Sequence, residues 1–125
     1  VSGTRKMARA RATLNPGKGK IKINGVFLEN YGGEFNRLTI QEPLVLAGDI
    51  IKKVDISVIT HGGGVNGQSD AARLAIARAL VVYDKKLKMV FNEYDRLLLV
   101  ADVRRKEVCK PNDSKARAKR QKSYR

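Results

Sequence analysis

Cysteine, histidine and tryptophan are almost missing from this chain: Cys109, His61 and no Trp among 125 residues. One cysteine excludes an internal disulfide, and one histidine excludes a histidine-based metal cluster. No serine has a plausible His and Asp partner, and the acids Asp70, Asp84, Asp95 and Asp102 lack metal-ligand spacing. The sequence therefore predicts no catalytic centre, no metal and no cofactor. Aromatics are few, four Tyr and three Phe. No apolar run approaches the roughly 18 to 20 residues of a membrane helix. Residues 1–14 are basic but lack the apolar stretch of a secretion signal, so none is expected. Acids are scarce as well, 12 against 26 Lys plus Arg, for a net charge of +14. What is abundant is ordinary core material: 42% of residues are hydrophobic, which argues against disorder and for one domain.

The charge is segregated. Residues 1–22 carry Arg5, Lys6, Arg9, Arg11, Lys18, Lys20 and Lys22 and no acid. Residues 104–125 carry ten basic groups against Glu107 and Asp113. Between them, residues 23–103 hold nine basic and ten acidic groups and are nearly neutral. Cationic ends on a balanced body repel each other unless a polyanion absorbs the excess. Nucleic acid is the favoured polyanion. A membrane surface is disfavoured because the tail has no amphipathic stripe. A solvated tail that serves only solubility is the other reading.

Period-two alternation predicts a strand over 5–14, with Arg9, Arg11 and Thr13 on one face and Ala8, Ala10, Ala12 and Leu14 on the other. Residues 15–19 (Asn-Pro-Gly-Lys-Gly) read as a turn, and 20–24 alternate again. The two strands are expected to pair as a hairpin with one basic face, directed at phosphates or merely solvated. Residues 34–47 suit a helix that Pro43 would interrupt. Residues 54–60 are a strand. Residues 68–83 are the strongest helix, with Val82 counted among its buried positions and Arg73 and Arg78 breaking its apolar surface. A second helix over 85–95 and a final strand over 97–101 complete an α/β (α+β) two-layer order, with helices on one side of a sheet. The division is a globular domain over 1–103 and a basic tail over 104–125.

Between strand and helix lies a glycine-rich loop. Gly62, Gly64 and Gly67 match G-x-G-x-x-G, and residues 62–69 match a phosphate loop except that Gln68 stands where lysine is required. A neutral amide cannot supply the charge that reaches nucleotide phosphates, and no strand ending in an acid is expected after the helix. A nucleotide-binding enzyme built on this loop is the alternative function. Gly62, Gly63, Gly64 and Gln68 otherwise offer flexible backbone and helix N–H groups to an RNA phosphate, or form a tight connection with no ligand.

In the tail, Arg104, Arg105, Lys110, Lys115, Arg117, Lys119 and Arg120 surround the chain instead of lining one face. Such a peptide meets phosphates on all sides. Tyr124 adds a stacking surface.

Several blocks together resemble one family. They are Ser2-Gly3-Thr4-Arg5-Lys6 with Ala8-Arg9-Ala10; Gly17-Lys18-Gly19 with Ile23-Asn24-Gly25; and Pro43-Leu44. Further blocks are Gly62-Gly63-Gly64 with Gly67-Gln68, Ala77-Arg78-Ala79-Leu80, Asp102-Val103-Arg104-Arg105, and the ending from Arg117 to Arg125. The chain resembles the universal small-ribosomal-subunit protein nine family, nearest its archaeal branch. Ser123-Tyr124-Arg125 departs from the Ser-Lys-Arg ending of bacterial members, and Thr4 stands where a lysine is common. The resemblance implies a two-layer sandwich with a left-handed βαβ crossover and an extended basic tail. It implies a structural, non-enzymatic role in the cytoplasmic small ribosomal subunit, with ribosomal RNA of the head and neighbouring head proteins as partners. Lys122, Ser123, Tyr124 and Arg125 would approach the peptidyl-site transfer RNA.

Overall fold

The computed structural model describes residues 1–124. Five strands, β1 (Ser2–Arg5), β2 (Ala8–Pro16), β3 (Ile21–Ile23), β4 (Val26–Phe27) and β5 (Val54–His61), form one sheet in the order β1-β2-β5-β3-β4. Three helices, α1 (Glu34–Ala47), α2 (Val65–Tyr83) and α3 (Leu87–Tyr94), cover one face. The result is the two-layer α/β arrangement expected from the sequence.

Alternation decides which face is covered. Ala8, Ala10 and Ala12 of β2 are buried with Val54, Ile56 and Val58 of β5 and Ile23 of β3, while Arg9, Arg11, Ser57, Ile59 and Lys22 between them are exposed. The buried side chains of β2 are small because α2 lies close. That helix presents its own alanines, Ala71, Ala72, Ala75 and Ala79, all buried. Gly3 of β1 marks the close approach of α2 to the sheet: a Cβ there would run into the Ala71 carbonyl. Ile40, Ile76, Leu80, Phe91 and Leu98 fill the layer between the helices.

The topology corrects the expected hairpin. β2 and β3 do not pair with each other; β5 inserts between them, antiparallel to β2 and parallel to β3. β2 runs on through the expected turn to Pro16, and the 17–20 loop then crosses the start of β5. There Gly17 N–H donates to the Lys53 carbonyl and Gly19 N–H to the Val54 carbonyl. The Asp55 carboxylate accepts from Lys18 N–H at 2.9 Å and Lys20 N–H at 2.8 Å. Gly17 leaves the room this carboxylate occupies. β3–α1–β5 is therefore the parallel crossover of the sheet. The true local hairpins lie elsewhere. The expected 5–14 strand breaks at Lys6, whose φ is 53°, into the antiparallel pair β1 and β2. Asn24-Gly25, with φ of 51° and 82°, joins β3 to β4. Two positive-φ residues in a two-residue loop are the signature of the type I′ turn.

Three other expectations change. Pro43 does not interrupt α1, which runs through it with the ring fully buried; packing outweighs the lost N–H bond. Val82 is exposed on the last turn of α2. The expected strand over 97–101 is a 3-10 turn at Arg96–Leu98, opened by Asp95, whose carboxylate accepts from Leu97 N–H at 2.9 Å. Leu98 of that turn enters the core. Beyond it the described chain has no further helix or strand.

Candidate nucleic-acid interface

The face of the sheet that the helices leave open is where the predicted basic residues gather. Register places them in rows across the strands: Thr4, Arg9 and His61 in one, Ser2, Arg11 and Ile59 in the next, Thr13, Ser57, Lys22 and Phe27 in a third. Lys22 Nζ stands 4.8 Å from the centre of the Phe27 ring. Toward the His61 end the surface sinks into a hollow of about 630 Å³. Lys6, Arg9, Arg11 and Arg105 contribute four cations to its lining, Met7 and Ile59 contribute apolar surface, and no carboxylate lines it among the described residues. At the opposite end of the sheet, Lys18 and Lys20 project from the crossing loop, their backbone held by Asp55. The N–H groups of Lys20 and then Lys18 hold the Asp55 carboxyl below its ordinary range.

Arg105 reaches this hollow because the chain after α3 returns to the β1–β2 turn, where Arg105 Nη1–H donates to the Lys6 carbonyl at 3.0 Å. Its position is set by Asp102. That carboxylate accepts from the Arg104 backbone N–H at 2.9 Å and from its guanidinium at 2.6 Å, and meets Arg5 Nη1 at 2.8 Å. The Arg104 hydrogen bonds, with Arg5 adding its charge, hold the Asp102 carboxyl down at about 2.

Not every predicted cation faces outward. Arg5 is only 18% exposed and lies between Asp102 and Asp70. Arg73 pairs with Glu42 of α1 and, at 3.1 Å, with Asp95 beyond α3, tying the helix layer together. Arg78 donates to the Leu99 and Ser2 carbonyls, each at 3.0 Å. These three arginines bind the protein to itself. The chain offers little sequence signal for this, since the acids that meet Arg5 and Arg73 are scattered, at Glu42, Asp70, Asp95 and Asp102, and Arg78 meets only backbone carbonyls. In the tail, Lys110, Lys115, Arg117, Lys119, Arg120, Lys122, Ser123 and Tyr124 are exposed. Glu107 gathers Arg117 at 2.8 Å and Lys110 at 3.0 Å, which lowers its carboxyl. Arg125 lies outside the described residues.

The glycine loop has an internal explanation. Gly62 and Gly63 take φ of 72° and 64°, which L side chains rarely adopt. A Cβ on Gly62 would stand 2.8 Å from the Met7 carbonyl oxygen, and one on Gly63 would stand 3.0 Å from Ala8. Gly67 also faces Ala8, whereas Gly64 has open space around it. The loop is thus pressed against the β1–β2 turn. Gln68 secures it: its Nε2 donates to the Gly62 carbonyl at 3.1 Å, and its Oε1 accepts from Thr60 Oγ1 at 3.3 Å. Thr60 in turn exchanges hydrogen bonds with Asn24 in the turn after β3. Where a phosphate loop would carry lysine, this chain carries an amide engaged by its own backbone. No strand follows α2 among the described residues, so the dinucleotide reading fails as well.

A sequence profile of the family described as Ribosomal protein S9/S16 matches residues 3–125. The chain is 51% identical over 127 aligned residues to the small ribosomal subunit protein uS9 of Thermoplasma volcanium, covering 100% of this chain and 96% of the relative. The protein of the same name from Thermoplasma acidophilum is also 51% identical, with 100% and 98% covered. That of Pyrobaculum aerophilum is 47% identical over 125 residues, with 98% and 88% covered. A basic sheet face on an α/β body, a glycine loop with no nucleotide chemistry, and these full-length similarities agree: the chain belongs to the ribosomal protein S9/S16 family, one of structural proteins and not of enzymes.

Proposed function

We propose that this protein is a structural component of the small ribosomal subunit in the cytoplasm. It binds ribosomal RNA of the subunit head through the open face of its sheet. Its tail carries Lys122, Ser123, Tyr124 and Arg125 toward the peptidyl-site transfer RNA, and neighbouring head proteins are further partners. The observation that carries the RNA reading is the hollow in which Lys6, Arg9, Arg11 and Arg105 converge with no acid. Phosphates are the ligand such a surface attracts, and release of their counterions makes binding steeply salt-dependent. Met7 and Ile59 between the cations give an unstacked base or a ribose an apolar floor. Lys18, Lys20 and Lys22 extend the charge along the sheet, and the tail cations Lys110, Lys115, Arg117, Lys119 and Arg120 continue it beyond the domain.

The test is to express the tagged chain in an archaeal host and resolve a lysate on a sucrose gradient. The reading expects the chain in the small-subunit fraction and its release by high salt together with ribosomal RNA unfolding. A chain found only at the top of the gradient, with no affinity for head-domain RNA fragments at low salt, overturns it.

A further inference from the structure

We propose that the hollow on the open sheet face receives a single unpaired RNA nucleotide, its base seated on Met7 and Ile59 and its flanking phosphates held by Arg9 and Arg11. The proposal rests on the RNA reading above and narrows it to one chemical class of ligand, a nucleotide turned out of a helix. The outward positions of β5 are Asp55, Ser57, Ile59 and His61. Ile59 is the one apolar side chain in that row, and it is 62% exposed. Met7, 75% exposed, stands at the β1–β2 turn and lines the same hollow. Two large apolar side chains thus lie open amid Lys6, Arg9, Arg11 and Arg105, with no carboxylate lining the hollow among the described residues.

This mixture of cations and apolar surface decides between ligands. A paired RNA helix presents phosphates and ribose hydroxyls and keeps the faces of its bases inside the stack. Met7 and Ile59 pressed against such a backbone would strip water from charged oxygens without replacing it. An unpaired base offers a flat apolar face to these side chains and leaves the phosphates on either side of it to the arginines. Arg9 and Arg11 share the outward face of β2, two residues and so about 7 Å apart along the strand. Each can take one of the two phosphates that flank a nucleotide. Register sets Thr4 beside Arg9 and Ser2 beside Arg11, which gives the polar edge of the base two hydroxyls to meet. The volume, about 630 Å³, falls in the roughly 300–1,000 Å³ range of sites that enclose one small ligand. The rim is also preformed. The Lys6 carbonyl accepts from Arg105 at 3.0 Å, and Gly62 backs the Met7 carbonyl so closely that a Cβ would stand 2.8 Å from its oxygen. A turn braced on both sides loses little freedom when a ligand enters.

Binding of the purified full-length chain to three kinds of RNA hairpin with one common stem tests this. One stem is fully paired. A second carries a single unpaired nucleotide, made with each of the four bases in turn. The third carries an abasic residue at the same place. At matched low salt, at least one bulged hairpin is expected to bind about tenfold tighter than the paired and the abasic ones. Ile59→Ser, at an exposed position, is expected to remove that preference with Tm unchanged. Equal affinity for all three kinds, or a preference that Ile59→Ser leaves intact, overturns the nucleotide site while the RNA reading stands. Tighter binding of a polyglutamate peptide than of any hairpin assigns the hollow to an acidic protein segment and overturns the site as well. Absence of salt-dependent affinity for every hairpin overturns the RNA reading and the nucleotide site with it.

Discussion

Asp102 and Arg5 meet at 2.8 Å beside the last turn of the fold, and both side chains are largely shielded, at 12% and 18% exposure. The contact joins the first strand of the sheet to a residue two positions before Arg104. It fixes where the cationic tail begins, beside the basic hollow and not at the far end of the molecule.

The hydrogen bonds that Arg104 gives Asp102, with the charge of Arg5 added, make the protein sensitive to acid. The folded Asp102 carboxyl titrates at about 2 against an ordinary 3.8. A lowered folded value means its contribution is complete above about 4 and is lost as pH falls toward 2. Asp55 and Glu107 are lowered too and act in the same direction. Asp102→Asn should lower Tm by several degrees at neutral pH and flatten the fall in Tm between pH 4 and pH 2. Calorimetry across that window checks it; an unaltered slope would show that Asp102 does not anchor the tail root.

The sheet face makes a prediction about salt. Arg9→Glu and Lys22→Glu lie on exposed positions and should leave Tm nearly unchanged. Each removes a phosphate contact, so the slope of log affinity against log salt for head-domain RNA should shrink by roughly one unit per site. Filter binding at several salt concentrations measures it. Wild-type slopes in the double variant would mark the face as solvated only.

The glycine loop offers a matched pair. Gly62→Ala forces a Cβ to 2.8 Å from the Met7 carbonyl in a positive-φ conformation and should destabilise by about 1–3 kcal/mol. Gly64→Ala has an extended φ and open space, and should change stability by less than about 0.5 kcal/mol. Urea unfolding of both separates an internal role for the loop from a ligand role, because a ligand site would be equally stable in either variant.

Deleting residues 122–125 should leave Tm unchanged, since Lys122, Ser123 and Tyr124 are exposed and lie beyond the last element of the fold. Retention of peptidyl-site transfer RNA by purified small subunits should weaken. Loss of folding on deletion would refute the division between a domain over 1–103 and a tail.

Much of this was legible in the residues. Alternation at Arg9, Ala10, Arg11 and Ala12 identified the two faces of β2, and the alanine-rich run from Ala71 to Leu80 identified the buried helix. The pairing of the strands was not legible. A chain that reads strand, turn, strand implies a hairpin locally, and only the residues of β5, far along the sequence, reveal that the two are held apart. Asn24-Gly25 was a missed signal, since that dipeptide favours the type I′ turn it forms. Arg5, Arg73 and Arg78 read as any other basic residues, because charge alone does not say whether an acid, or for Arg78 a pair of carbonyls, waits across the fold.

The insertion of β5 between β2 and β3 also sets a timetable. The strand that joins them is complete only once residue 61 has been made, so until then the local pairs β1–β2 and β3–β4 cannot unite into one sheet. Such long-range pairing slows acquisition of structure. The cationic N-terminal strands therefore wait open, and a growing chain of this kind needs either protection from stray polyanions or an early encounter with the right one.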